Sequence, residues 1–189
     1  LRFEVLEVDP EGFPINDELE PRIWKDEELR PFISKKLLEI ANDFIDGLPF
    51  AVAIKDVRFT GSLANYNWSK YSDIDLHIVV DFTELDENKD LVKEMFDAKR
   101  LRWNEKHNIT IKGYEVELYV EDEGEEHSSS GIYSVMKAEW LDKPERTDTK
   151  IDIDTAKKKA SDIEQQITSI SVMFDQGQFE KVMRHVDRL

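Results

Sequence analysis

The chain has 189 residues, enough for one full domain with appended helices and too few for two large ones. Acidic residues outnumber basic ones 42 to 26, a formal net charge of −16, which argues against a large footprint on phosphate backbone such as an extended nucleic-acid duplex. Hydrophobic residues, at 40%, suffice for a core. No run approaches the roughly 20 apolar residues of a membrane span, no signal peptide opens the chain, and the lack of cysteine excludes disulfides and thiolate metal sites, so a cytoplasmic protein without membrane contact is predicted.

In residues 1–8, Phe3, Val5, Leu6 and Val8 alternate imperfectly with charges, a strand pattern that Pro10, Gly12 and Pro14 then break. Residues 1–25 therefore read as an N-terminal extension. A helix is expected from Asp26 onward, with Pro31 tolerated in its first turn and Ser34 as an alternative N-cap. Its apolar stripe is Phe32, Leu37, Ile40, Ala41, Phe44, Ile45 and Leu48, and Gly47 and Pro49 end it, which predicts a helix packed on the back of a sheet.

The segment 50–59 is apolar enough for a strand and runs into Gly61-Ser62. After a ten-residue spacer, 63–72, comes a second apolar run carrying Asp73 and Asp75. In a strand, side chains two apart share a face, so Asp73, Asp75 and His77 project from one side while Ile74, Leu76 and Ile78 cover the other. Two carboxylates held side by side repel unless a cation lies between them. Mg²⁺, with Mn²⁺ as the alternative, suits that position because it takes oxygen ligands and uses one or two carboxylates plus substrate phosphates. Gly61 lets backbone approach a phosphate, and Ser62, at the first turn of a short helix, offers a hydroxyl and free N–H groups. Lys70 is the one local cation available to a triphosphate; its alternative reading is an exposed loop lysine. With only four widely spaced histidines, His77 reads as a hydrogen-bonded, semi-buried residue rather than a metal ligand.

Gly-Ser, the ten-residue spacer and Asp-x-Asp inside an apolar strand together resemble the signature of the DNA polymerase β-like nucleotidyltransferase superfamily. The wording Gly-Ser-Leu-Ala-Asn-Tyr-Asn, then Tyr-Ser-Asp-Ile-Asp-Leu-His, is similar to a group of uncharacterised nucleotidyltransferase-like proteins of tailed bacteriophages and bacteria. The resemblance implies an α+β fold, a mixed β-sheet with helices packed on one face, over a catalytic domain of residues 26–145. It implies transfer of a nucleoside monophosphate from an NTP to an acceptor, with release of pyrophosphate. Many members carry an Arg in the spacer; this chain has Asn65, Asn67, Ser69 and Lys70 there.

Residues 86–107 read as a crossover helix with Leu91, Val92, Met95, Phe96 and Trp103 at helical spacing. Near its end Lys99, Arg100, Arg102, Lys106 and Lys112 gather against a single acid, Glu105, as a basic patch or a solvated helix face. Two strands follow, 109–111 and 114–120, joined at Lys112-Gly113. Tyr114, Val116, Leu118 and Val120 take one face of the second strand and Glu115, Glu117 and Glu121 the other. Glu115 and Glu121 are expected to face water. The superfamily places a third carboxylate on a strand beside Asp-x-Asp, and Glu117 fits that position best, with Glu115 as the alternative. The polar segment 121–130 is expected to be an exposed loop or lid, and 131–141 a further short strand and turn.

From Ile153 the apolar positions Ile153, Ala156, Ala160, Ile163, Ile167, Ile170 and Phe174 alternate steps of three and four. After Asp175-Gln176-Gly177, Phe179, Val182, Val186 and Leu189 resume the spacing. A C-terminal helical hairpin over 150–189 is predicted, packed on the catalytic domain or, alternatively, on a second copy to form a homodimer. The leading functional expectation is a metal-dependent nucleotidyltransferase in which Asp73, Asp75 and Glu117 bind metal and Gly61, Ser62 and Lys70 hold phosphates. Its acceptor, whether small molecule, protein or RNA end, is not encoded in any motif. A catalytically idle nucleotide-binding or protein-interaction module, and a nucleotide pyrophosphokinase, are the competing readings.

Overall fold

The structure, a computed structural model, describes residues 14–125, 129–147 and 153–186. The expected strand at 1–8 lies outside the described residues. The described residues form two units, 14–147 and 153–186. The first is built on a six-stranded sheet.

Its elements follow from the chain in sequence. Strands β1 (Trp24–Lys25) and β2 (Glu28–Leu29) make a small hairpin of their own. Helix α1 (Pro31–Asp46) starts at Pro31 rather than Asp26. The reason is local: Asp26 and Glu27, with φ of 51° and 63°, are the two central residues of the β1–β2 turn, which needs positive φ at both. Proline then fits the first helical turn, where its missing N–H is no loss.

Strands β3 (Ile54–Thr60) and β4 (Ile74–Val80) are antiparallel neighbours, and β6 (Tyr114–Asp122) lies parallel to β4. A parallel neighbour needs a crossover, supplied by helix α2 (Lys89–Lys106). Strand β5 (Thr110–Ile111) turns into β6 through Lys112 and Gly113, at φ of 55° and 89°. Strands β7 (Ile132–Ser134) and β8 (Glu139–Asp142) extend the other edge.

Strand alternation gives the sheet two unlike faces. On one, Phe59 pairs with Leu76 and Leu76 with Leu118, while Val57 pairs with Ile78 and Ile78 with Val120, and all are buried. Helices α1 and α2 contribute Ile33, Leu37, Ala41, Phe44, Val92 and Phe96 to the same core. Phe96 stacks on Phe82 at 5.5 Å, and Phe44 meets Trp103 edge-on at 6.2 Å. The other face carries three cross-strand rows: Thr60, Asp75 and Glu117; Arg58, His77 and Tyr119; Asp56, Val79 and Glu121.

In the C-terminal unit, helix α3 (Ile153–Asp175) and helix α4 (Phe179–Val186) flank Gly177, whose φ of 71° closes the turn between them. Ile163, Ile167, Phe174, Phe179 and Met183 are exposed there. Among the described residues no helix is long and apolar enough to cross a membrane.

Candidate active site

Strand β3 ends at Thr60, and Gly61 follows with φ 77° and ψ −164°, a region open essentially to glycine alone. A Cβ built on it would lie 1.7 Å from Asp75 Oδ2. Two constraints thus select glycine: the backbone bend, and the carboxylate lying directly against it. Ser62–Ala64 then form a single 3₁₀ turn whose Leu63 and Ala64 are buried. The Trp24 indole N–H donates to Leu63 O at 2.7 Å, and its ring stacks on Phe59 at 5.5 Å and Trp140 at 4.7 Å. An aromatic cluster therefore holds the turn from the strand side.

The spacer is ordered by short polar bonds. Asn16 donates through its side chain to the carbonyls of Tyr66 (3.1 Å) and Trp68 (2.7 Å), and the Trp68 indole donates to Glu18 O at 2.9 Å. Ser62 Oγ donates to Ser72 Oγ at 2.7 Å, and Ser72 Oγ also accepts from the Ser69 N–H at 2.9 Å. Ser72 thereby ties the start of the motif to the residue before Asp73. The Lys70 ammonium lies 4.8 Å from the centre of the Tyr71 ring.

Asp73 stands just before β4, Asp75 within it, and Glu117 directly opposite Asp75 on β6. One ligand oxygen from each of the three lies within 4.8 Å of the others, and all three residues are half-buried. Burial, and then the neighbouring Asp73, raise the Asp75 carboxyl to about 6; His77 opposes the rise and Glu117 adds to it. Glu115 lies on the same face of β6 as Glu117, two residues earlier, and is exposed, as expected. A cavity of about 420 Å³ opens on the Glu117 side of the cluster, between the end of α2 and β6, with Asp73, Glu117, Asn104 and His107 in its wall.

Glu121 does not face water as the strand pattern suggests. It is 7% exposed, with Oε1 accepting from Arg58 Nη1 at 2.7 Å and Oε2 paired with His77 Nδ1 at 2.9 Å. Strand β6 runs on through Asp122, so the polar segment begins later than expected; Asp122 is itself buried, accepting from Phe82 N at 2.9 Å and Lys89 Nζ at 2.7 Å. His77 is semi-buried and bonded, as expected. Its ring stacks on Tyr119 at 4.9 Å. Burial and a hydrogen bond to Glu117 raise the Tyr119 phenol, so it is a donor at neutral pH.

Asn104, Trp24, Ser72, Arg58 and Tyr119 were not singled out by sequence. Trp24 carried a signal, as a tryptophan in a segment otherwise read as an extension, and Ser72 lay within the motif; Asn104, Arg58 and Tyr119 are ordinary polar residues whose partners come from other elements.

Three hard oxygen donors from three positions, crowded enough to raise one of their own pKa values and seated against a glycine that leaves them room, fit a divalent cation of the Mg²⁺ class. No curated protein and no solved structure is matched. Residues 35–141, more than half the chain and spanning every one of these motif residues, match the family model of the nucleotidyltransferase domain. The chain belongs to the nucleotidyltransferase domain family.

Proposed function

We propose that this protein transfers a nucleoside monophosphate from an NTP to an acceptor, releasing pyrophosphate. The observation that carries this reading is the meeting of Asp73, Asp75 and Glu117 oxygens within 4.8 Å beside Gly61 in a nucleotidyltransferase domain. In the reaction an acceptor oxygen or nitrogen forms a bond to the α-phosphorus, the bond from that phosphorus to the pyrophosphate oxygen breaks, and the acceptor gives up one proton. Asp73, Asp75 and Glu117 would hold the cation. When bound, a divalent ion supplies charge neutralisation of the phosphates and orients the α-phosphate for in-line attack.

The remaining roles belong to the chain. Gly61 lets the backbone of the β3 end approach the phosphates, Ser62 presents its hydroxyl to them by exchanging its bond to Ser72, and Lys70 counters their charge. Glu117, on the side of the 420 Å³ cavity, stands where an acceptor enters and takes the proton as the bond forms. The cavity is of a size that takes a small molecule or a single side chain or chain end.

The test is thermal unfolding with Mg²⁺ and each of the four NTPs, on wild type and on the Asp73→Asn/Asp75→Asn double variant. A metal-dependent NTP shift in wild type that vanishes in the variant supports the reading. A catalytically idle nucleotide-binding module is the second reading, favoured by the spacer, which has no Arg in 63–72. It is distinguished by a nucleotide shift without pyrophosphate release on any acceptor.

A further inference from the structure

Among the described residues, strand β6 has a strand neighbour on its outer edge only at its start. Strand β5 pairs Ile111 with Tyr114 and Thr110 with Glu115, and a last bond runs from Val116 N to Ile109 O at 2.9 Å. One residue beyond Glu117, the backbone of Leu118 would need partners that no strand among the described residues supplies. Asn104 of α2 provides both: its Nδ2 donates to Leu118 O at 3.1 Å and its Oδ1 accepts from Leu118 N at 3.2 Å. One amide side chain thus takes the place of a sheet neighbour.

One turn earlier on the same helix, Arg100 sets its guanidinium carbon 4.7 Å from the centre of the Tyr119 ring, with its Nε donating to Asp97 Oδ1 at 2.8 Å. His77 stacks at 4.9 Å on the same ring. Leu118 and Tyr119, the two residues after Glu117, are therefore both gripped by α2, one through backbone and one through its ring.

We propose that Asn104 is the positioning residue of the third carboxylate: by bonding both backbone groups of Leu118 at the free edge of β6, it fixes the strand from which Glu117 reaches the metal-binding cluster. Arg100, holding Tyr119 a turn away, is the second point of the same grip. The need for such a grip follows from chemistry. Glutamate has one more rotatable bond than aspartate, so a ligand oxygen at its tip is placed only if the backbone beneath it is fixed and its neighbours limit its swing. Asn104 touches neither phosphate nor metal in this scheme; it acts through Glu117. The inference rests on the nucleotidyltransferase reading of the cluster.

The experiment is Mn²⁺ binding to the full chain, followed by electron paramagnetic resonance without nucleotide, in a four-way cycle of wild type, Asn104→Leu, Glu117→Gln and the double variant. Asn104→Leu is expected to weaken Mn²⁺ binding about tenfold in the wild-type background, the lower end of what orienting partners of metal ligands contribute. In the Glu117→Gln background the same change should alter affinity less than about twofold, because the carboxylate through which Asn104 acts is gone. A purely structural asparagine would lower affinity equally in both backgrounds, and that result overturns the proposal. So does unchanged affinity in Asn104→Leu. Asn104→Ala, which cannot overfill the α2–β6 contact, replaces the leucine variant should that one fail to fold. Absence of Mn²⁺ binding by wild type would instead remove the metal reading of the cluster itself, and this inference with it.

Discussion

At Gly61 a single hydrogen atom separates a working geometry from a blocked one. Alanine there would put its Cβ 1.7 Å from Asp75 Oδ2 and would have to hold φ at 77°. Gly61→Ala is therefore expected to destabilise the fold by about 2–4 kcal/mol and to abolish Mn²⁺ binding, measured by urea unfolding and metal titration. Asp75 itself carries a pH signature. The native state keeps its proton up to about pH 6, whereas the unfolded chain releases it near the ordinary value of 3.8. Between those values the native state binds more protons, so this group's contribution to stability falls as pH rises and is fully lost above about 6. In EDTA, Asp75→Asn should raise the melting temperature at pH 7.5 and raise it much less at pH 4. An equal gain at both would disprove crowding as the cause.

The elements that carry these residues differ in how openly the chain announces them. Strand β4 is legible because its alternation is strict: Ile74, Leu76 and Ile78 go to the core and Asp75 and His77 to the opposite face. Helix α2 is legible from the helical spacing of Val92, Met95, Phe96 and Trp103, whereas the parallel pairing of β6 with β4 is seen only in the structure. The β1–β2 hairpin was missed because its turn uses Asp26 and Glu27 at positive φ, residues that give no glycine signal. That hairpin brings Trp24 under the Gly61 turn. Trp24→Phe keeps the stacking but deletes the N–H bond to Leu63 O, leaving a buried carbonyl unpaired, and should lower stability by about 1–3 kcal/mol in urea unfolding. Because Leu63 follows Ser62, the same variant is expected to raise the KM for NTP more than it lowers kcat.

At the scale of the whole molecule, charge dominates. With a net charge of −16 the chain repels polyanions beyond the reach of any local cation, so duplex DNA should show no retardation in a gel-shift assay at about 50 mM salt. A shift at that salt would mean that the basic end of α2 outweighs the overall field. The described residues separate into the sheet unit and the helical hairpin, and the core of the sheet unit draws its buried side chains from residues 19–135.

The chain by itself determined the family, the alternation of β4, the two aspartates on one face, the crossover helix and the C-terminal hairpin. Each is a local matter of period, turn chemistry or motif spacing, and local sequence carries such information directly. Tertiary structure alone decided that Glu117 stands opposite Asp75 rather than merely near it in kind, that Glu121 is buried against Arg58 and His77 rather than solvated, and that Asn104 closes the free edge of β6. These depend on strand register and on which edge a helix crosses. A shift of one residue in pairing would exchange the faces without changing a letter of the sequence.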